Sequence, residues 1–156
     1  MSKMRMKNPA AVLPDAWKGI GTLMHAIASA GVAPQTLELV GLRASQINGC
    51  SACAVGHFQN LKKSGMADER LASVATWHDT PFFSDAERAA LALTETVTRA
   101  ADHSGELVSD ELWAEVTRHF DERQVSAIIL QIGALNLFNR INATVREAAD
   151  RPSWAA

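Results

Sequence analysis

Residues 50–57 read Cys50-Ser51-Ala52-Cys53-Ala54-Val55-Gly56-His57 and hold both cysteines of this 156-residue chain. An α-helix has about 3.6 residues per turn, so Cys50, Cys53 and His57, at positions i, i+3 and i+7, would share one helix face. Asn48-Gly49 directly before them is a turn signal. The stretch therefore predicts a helix that begins at or near Cys50 and carries a dithiol with an imidazole beside it.

Two effects would make this dithiol reactive. The unpaired N–H groups and the dipole of a helix N-terminus favour a thiolate at Cys50. His57 follows Cys53 by one helical turn and is close enough to exchange a proton with that thiol. The first effect favours Cys50 as the attacking sulfur and the second favours Cys53, so the choice between them is open at this point.

Other uses of a Cys-x-x-Cys pair have less support. Structural zinc takes four ligands, and the chain has no second close pair of metal-binding residues; the other histidines are scattered, at His25, His78, His103 and His119. Covalent haem attachment requires a histidine directly after the second cysteine, where this chain has Ala54. Two inert buried thiols remain an alternative, because free cysteine is among the most buried residue types.

The composition is that of an ordinary globular protein, with 47% hydrophobic and 21% charged residues, and predicts a single domain over residues 1–156. A net charge of −2 and a pI near 6.2 give no reason to expect a nucleic acid or an anionic membrane as a partner. No segment has the roughly 18 apolar residues of a membrane span, and no secretory signal pattern follows the basic start. We therefore expect a cytoplasmic protein, where a cysteine pair is more often catalytic or metal-binding than structural.

Hydrophobic periodicity predicts an all-α protein of about seven helices. Residues 1–13 lack periodicity and are expected to form a flexible arm or an arm that contacts a partner subunit. The seven helices are predicted to start near Pro14, Pro34, Cys50, Asp68, Ser84, Ser109 and Asp121. The second and third would form a central helical hairpin around Asn48-Gly49. The last, Val125 to about Ala148, is apolar around most of its circumference and is expected in the core or at a subunit interface.

Three further groups of residues have both a functional and a structural interpretation. Glu38 lies on the second helix next to apolar positions, and spacing across a turn does not determine where its carboxylate points. Trp77-His78 and Phe82-Phe83 could line a pocket, although aromatic clusters in small helical proteins are usually core. On the apolar last helix, Asn139, Arg140 and Asn142 need hydrogen-bond partners if buried, which favours structural or subunit contacts over catalysis.

Glu38 followed by Cys50-x-x-Cys53-x-x-x-His57 resembles the alkyl hydroperoxidase AhpD and carboxymuconolactone decarboxylase superfamily. Segments 77–83, 87–91 and 138–142 are similar to the single-core members, so the resemblance extends over about residues 15–146. It implies an AhpD-like helical fold that assembles into homo-oligomers, frequently trimers or hexamers. It also implies a proton relay in which Glu38 and His57 serve the dithiol, with Cys53 as the peroxidatic residue and Cys50 as the resolving one.

The function implied by this resemblance is that of a thiol-dependent peroxidase. Its substrate would be a hydroperoxide, its reductant an external thiol or dithiol protein, and it would need no metal, flavin or haem. The full hydroperoxidase pattern has a histidine immediately before the second cysteine, where this chain has Ala52, so a shorter or less effective relay is expected. Two alternatives stay open: a lyase that decarboxylates a cyclic lactone acid, and a non-enzymatic redox-sensing oligomer.

Overall fold

The computed structural model describes residues 4–153, and over this range the chain is all-helical, which confirms the predicted fold class. The described helices are α1 Pro9–Val12, α2 Pro14–Ala28, α3 Pro34–Ile47, α4 Ser51–Lys63, α5 Asp68–Ser73, α6 Asp85–Thr98, α7 Asp110–His119 and α8 Glu122–Val145. Two 3₁₀ segments, Val74–Asp79 and Ala100–Asp102, follow α5 and α6. Helices α2 to α8 correspond to the seven predicted ones, and α1 is a short addition within the N-terminal arm.

Local capping signals determine where several helices begin. Ser84 accepts a hydrogen bond from the backbone of Glu87, whose side chain accepts one from Ser84 in return. Asp121 and Gln124 make the same reciprocal pair at the start of α8. Both are capping boxes, as their sequences predict, and each satisfies backbone donors that the first turn of a helix leaves without partners.

Two helix ends differ from the prediction. The helix that starts at Asp68 is predicted to end at Thr80-Pro81, because a residue before proline disfavours the helical conformation. It is an α-helix only to Ser73 and then tightens into a 3₁₀ segment, with non-helical torsion angles at Thr76. Helix α8 ends at Val145 rather than near Ala148, because Arg146 adopts a left-handed conformation with φ of 58°. Both differences lie at helix ends, where backbone hydrogen bonds are fewest.

Helix α3 is the central helix of the fold. One of its sides contributes Val40 to a core shared with Ile128 of α8 and other residues of α2, α6 and α7. The opposite side contributes Leu39 to a second core that contains Leu61 of α4 and Trp77. Because cores enclose α3 on two sides, its orientation is well defined, and Glu38 and Gly41 lie on the side that faces α4.

Helix α8 is less enclosed than α3. Its buried side includes Ile128 and Ile132, whereas Ile129, Leu130 and Leu137 of the opposite side are exposed. The apolar circumference predicted for this helix is therefore only partly covered within one copy of the chain. No helix among residues 4–153 is long and apolar enough to cross a membrane.

Helices α3 and α4 form the predicted hairpin, and a glycine ends the first of them. Gly49 has φ of 67°, the left-handed conformation that favours glycine. The Cys50 N–H donates to the Ser45 carbonyl at 3.0 Å, and the Gly49 N–H donates to the Gln46 carbonyl at 3.3 Å. This pair of bonds is a Schellman motif, and the residue that completes it, Cys50, is also the N-cap of α4.

Candidate active site

The two cysteines lie at the N-terminus of α4 and are joined by a disulfide bond. Their Cα atoms are 5.5 Å apart, within the range that a disulfide allows. Cys50 is 3% exposed and Cys53 is 7% exposed, so both are buried. The hairpin therefore holds the two thiols close enough to be oxidised to a disulfide and reduced again.

His57 lies one turn after Cys53 and faces Glu38 of α3. Its Nδ1 is 2.7 Å from Oε2 of Glu38. A carboxylate can only accept, so Nδ1 carries the hydrogen, and in the neutral form of the ring the lone pair lies on Nε2. Asn60, almost one turn further along α4, donates from Nδ2 to both oxygens of Glu38 at 3.3 Å. The direction of Glu38, open from the sequence, is thus towards the imidazole.

Gly41 makes room for the His57 ring, a role that no local pattern in the sequence predicts. It lies one turn after Glu38 on α3, and a Cβ atom at this position would lie 2.7 Å from Nε2 of His57. This separation is well inside van der Waals contact, so the ring occupies space that only glycine leaves open. The spacing from Glu38 was visible in the sequence, but it does not reveal which side chain packs there.

Two asparagines, also absent from the predicted site, complete the surroundings of Cys53. Asn142 of α8 donates from Nδ2 to Sγ of Cys53, with 3.2 Å between the two atoms. The other end of its amide, Oδ1, accepts from Nδ2 of Asn8 at 3.0 Å. The apolar pattern around Asn142 indicated that it needs a partner, but it gave no indication that the partner is a sulfur atom.

A pocket of about 420 Å³ opens beside Cys53 and His57. Asn8, Asn60 and Asn142 supply most of its polar groups. Its wall is otherwise mainly apolar and includes Trp17, Ile20, Met24, Leu135, Phe138 and Ile141. Cys50 does not line it, so a small molecule bound in this pocket would meet the sulfur of Cys53 first.

The aromatic segment singled out in the sequence lies away from this pocket. Trp77 and Phe83 are buried in the second core, which confirms their interpretation as core residues. His78 and Phe82 are exposed instead, so the core interpretation is wrong for these two. Among residues 4–153, no three His, Cys, Asp or Glu side chains are grouped so that they could hold a metal ion.

The family model of the carboxymuconolactone decarboxylases matches residues 14–96, a range that includes Glu38, both cysteines and His57. The chain belongs to this family. Two bacterial relatives are uncharacterised proteins. YdfG of Bacillus subtilis (strain 168) is 35% identical over 114 residues, which are 73% of this chain and 76% of YdfG. YnjA of Escherichia coli (strain K12) is 33% identical over 113 residues, which are 72% of this chain and 59% of YnjA.

Several solved structures have the same fold as this member of the carboxymuconolactone decarboxylase family. One is ATU0492 of Agrobacterium tumefaciens, a protein of unknown function suggested to be the antioxidant defence protein AhpD. Its TM-score is 0.83 at 29% identity, over 94% of this chain and 97% of that one. The debrominase Bmp8, in complex with 2,3,4-tribromopyrrole, has a TM-score of 0.78 at 19% identity, over 89% and 73% of the two chains. A peroxidase-related protein of Ralstonia eutropha JMP134, with an AhpD core, has a TM-score of 0.74 at 20% identity, over 92% and 74%. The superfamily recognised from the cysteine motif is therefore confirmed.

Proposed function

We propose that this protein is a thiol-dependent peroxidase in which Cys53 reduces a hydroperoxide and Cys50 resolves the oxidised product. The observation that carries this proposal is the pocket, which reaches Cys53 and His57 but not Cys50. It favours Cys53 in the choice between the two sulfurs that the helix arguments left open. The hydrogen bond between Glu38 and His57 supports a proton relay beside the same sulfur.

In the first step, the Cys53 thiolate attacks the distal oxygen of the hydroperoxide. A sulfur–oxygen bond forms, the oxygen–oxygen bond breaks, and the products are a sulfenic acid on Cys53 and an alkoxide. His57, held through Nδ1 by Glu38, takes the thiol proton at Nε2 beforehand and returns it to the departing alkoxide. The substrate therefore leaves as an alcohol, reduced by two electrons.

In the second step, the thiol of Cys50 condenses with the sulfenic acid. A disulfide forms and water leaves with the oxygen that came from the peroxide. An external thiolate then attacks Sγ of Cys53 from the pocket and displaces Cys50, whose thiolate is stabilised by the N-terminus of α4. The second thiol of the reductant releases Cys53, so one dithiol is oxidised for each peroxide reduced.

The lining of the pocket favours an organic hydroperoxide as the substrate. Its aromatic and aliphatic side chains offer apolar surface to an organic group, while the Asn142 amide supplies a polar group at Cys53 itself. A lactone carboxylic acid, the substrate class of the lyase alternative, would gain from a cation in the pocket, and the described lining contains no Lys or Arg. The peroxidase proposal therefore has more support from the site than the lyase alternative.

A single-turnover reaction of the pre-reduced protein with cumene hydroperoxide tests the proposal, with free thiols counted before and after. We expect the wild type to lose two thiols for each peroxide consumed. Cys53→Ser should not react, whereas Cys50→Ser should lose one thiol and yield a sulfenic acid that dimedone traps. Trp17→Ala removes part of the apolar wall of the pocket, so it should slow the reaction with cumene hydroperoxide more than the reaction with hydrogen peroxide.

Thiols that persist in excess peroxide would show the proposal to be wrong. Slow disulfide formation accompanied by a change in assembly would favour the redox-sensing alternative. Decarboxylation of a lactone acid that survives in the variant with both cysteines replaced by serine would favour the lyase. The first two of these outcomes also overturn the assignment of Cys53 as a peroxidatic residue.

A further inference from the structure

We infer that Asn142 is a catalytic residue that stabilises the thiolate of Cys53, and that Asn8 of the N-terminal arm is a positioning residue that fixes the Asn142 amide. The inference deepens the proposed function and rests on it, because it concerns the sulfur proposed to attack the peroxide. It also gives the arm a role within one copy of the chain.

The direction of each hydrogen bond follows from a backbone group whose polarity is certain. The Ala10 N–H can only donate, and it donates to Oδ1 of Asn8 at 3.0 Å. The amino group of Asn8 must then point away from α1, towards Oδ1 of Asn142 at 3.0 Å. Oδ1 of Asn142 is therefore occupied as an acceptor, which leaves its Nδ2 to donate to the sulfur.

The arm is tied to α8 at a second point close to these residues. The Arg5 N–H donates to the Val145 carbonyl at 2.9 Å, and the Arg5 guanidinium donates to the Thr144 carbonyl at 3.1 Å. Asn8 follows three residues later and, as the N-cap of α1, accepts from the helix backbone. The arm therefore holds Asn8 firmly against the residue that it orients.

Burial strengthens the hydrogen bond from Asn142 to the sulfur of Cys53. Asn142 is 6% exposed and Cys53 is 7% exposed, so little water competes for the sulfur. A disulfide sulfur is a weak acceptor, whereas a thiolate carries a full negative charge, and hydrogen bonds to charged groups are about twice as strong as neutral ones. The bond therefore favours the charged form, which is the form that attacks the peroxide.

The same contact distinguishes the two sulfurs. Among the described residues, Asn142 is the side chain that donates to a cysteine, and it donates to Cys53. Cys50 makes no side-chain hydrogen bond as the N-cap of α4. The helix N-terminus therefore suits Cys50 as the leaving thiolate during reduction, while Asn142 favours Cys53 as the attacking one.

Few other titratable groups surround Cys53 among the described residues. His57 of α4 is the one that lines the same pocket, and Glu38 of α3 lies behind it. Cys50 is the disulfide partner. Helices α2 and α8 contribute uncharged residues to the pocket, and so does the arm. A change in the protonation of Cys53 after substitution of Asn142 would thus reflect the lost amide and not a displaced charge.

The test uses Cys50→Ser as the parent protein, so that Cys53 is the one thiol that titrates. The thiolate absorbance at 240 nm and the rate of alkylation by iodoacetamide are measured against pH. We expect Asn142→Leu to move the midpoint of both titrations upward by about one pH unit, since it removes a hydrogen bond to a charged sulfur. Asn142→Asp should move it further, because a carboxylate repels the thiolate. Asn8→Ala should give a smaller shift in the same direction.

Gln59→Leu is the matched control. It removes an exposed amide from α4 itself, at a residue that does not line the pocket, and should leave the midpoint unchanged. Thermal unfolding of each variant separates loss of folding from loss of the hydrogen bond, and Asn142→Gln, which keeps the amide, should recover part of the shift. An unchanged midpoint in a folded Asn142→Leu protein would overturn the inference.

The titration needs no peroxide, so its outcome is separable from that of the proposed function. A shifted midpoint in a protein that does not react with peroxides would leave the role of Asn142 at the thiolate intact and reject the peroxidase. Peroxidase activity with an unshifted midpoint in Asn142→Leu would support the proposed function and reject the role of Asn142 at the thiolate.

Discussion

His57 can approach Glu38 closely because Gly41 has no side chain. The ring lies over the glycine, and its Nδ1 is 2.7 Å from the Glu38 carboxylate. The helical propensity of glycine is poor, by about 1 kcal/mol relative to alanine, so Gly41 weakens α3 to make room for the imidazole. The geometry of the site therefore depends on the absence of a side chain at Gly41 as much as on the functional groups of Glu38 and His57.

Gly41→Ala should displace the His57 ring and lengthen or break its bond to Glu38. We expect the rate of Cys53 oxidation by cumene hydroperoxide to fall about tenfold or more, because an aligned base contributes about 10²–10⁴ in rate. The melting temperature should also fall, since overpacking costs about 1–3 kcal/mol. Stopped-flow measurement of thiol loss, with thermal unfolding alongside, checks both effects.

Gly19→Ala is the matched control for this substitution. Gly19 is exposed on α2, and a Cβ at this position meets nothing within 4 Å. It should leave the rate unchanged and stabilise the protein by about 0.5–1 kcal/mol. A wild-type rate in Gly41→Ala would mean that the position of the ring does not limit the reaction.

At the scale of elements, the turn between α3 and α4 is fastened to α8 by asparagine side chains. Nδ2 of Asn48 is 3.0 Å from Oδ1 of Asn136 and 2.9 Å from Oδ1 of Asn139. Nδ2 of Asn139, which is 1% exposed, donates to Oγ of the fully buried Ser45 at 3.1 Å. Since this turn leads directly into Cys50, these bonds relate the cysteine helix to α8, the helix that carries Asn142.

Asn139→Leu should destabilise the fold by about 1–3 kcal/mol, because it removes the donor to the buried Ser45 hydroxyl and one of the two acceptors of the partly buried Asn48 amide. In a double-mutant cycle with Ser45→Ala, we expect a coupling energy of about 0.5–2 kcal/mol, since the two side chains contact each other. Urea unfolding of the four proteins provides the measurement. Thr117 is exposed on α7, so the effects of Asn139→Leu and Thr117→Ala on the free energy of unfolding should be additive. Additive effects of Asn139→Leu and Ser45→Ala would refute the coupling.

The stability of the whole molecule depends in part on the Glu95 carboxylate of α6, which joins this helix to α3 and to the 3₁₀ segment Val74–Asp79. The carboxylate accepts from Nε of Arg43 on α3 at 2.6 Å and from Nε1 of Trp77 in the 3₁₀ segment at 3.0 Å. Arg99, on the next turn, donates to its other oxygen at 3.1 Å. Burial opposes the ionisation of this carboxylate, but the hydrogen bonds from Trp77 and Arg43 and the charge of Arg43 hold the pKa of Glu95 below its ordinary value.

The lowered pKa of Glu95 predicts a pH-dependent contribution to stability. A carboxylate whose pKa is lower in the folded state stabilises that state at neutral pH, and the contribution disappears as the pH falls below about 4.3 towards the folded pKa. Glu95→Gln should therefore lower the free energy of unfolding at pH 7, by about 1–3 kcal/mol. The difference from wild type should shrink between pH 5 and pH 3 in urea unfolding. Glu106→Gln, at an exposed position, should show no such trend, and a difference that is constant with pH would contradict this role.

Local sequence patterns are sufficient to predict the helical elements, the hairpin and the spacing of the reactive groups on α4. These features depend on local physics: apolar periodicity, caps such as Ser84 with Glu87, and the left-handed turn at Gly49. Cys50, Cys53 and His57 lie within eight residues of one another, so helix geometry alone relates them. Glu38 was predicted as a site residue from its place in the family pattern, and the sequence did not predict the direction of its side chain.

Only the packing of the helices shows which residues from distant parts of the chain surround Cys53. Asn142 lies 89 residues from Cys53, and Asn8 lies 134 residues from Asn142. The position of Gly41 under the His57 ring depends on how α3 packs against α4, and the pocket depends on how the arm, α2 and α8 pack around them. None of these contacts leaves a local pattern, because the cores on the two sides of α3 determine where the helices meet, and the sequence around each residue does not.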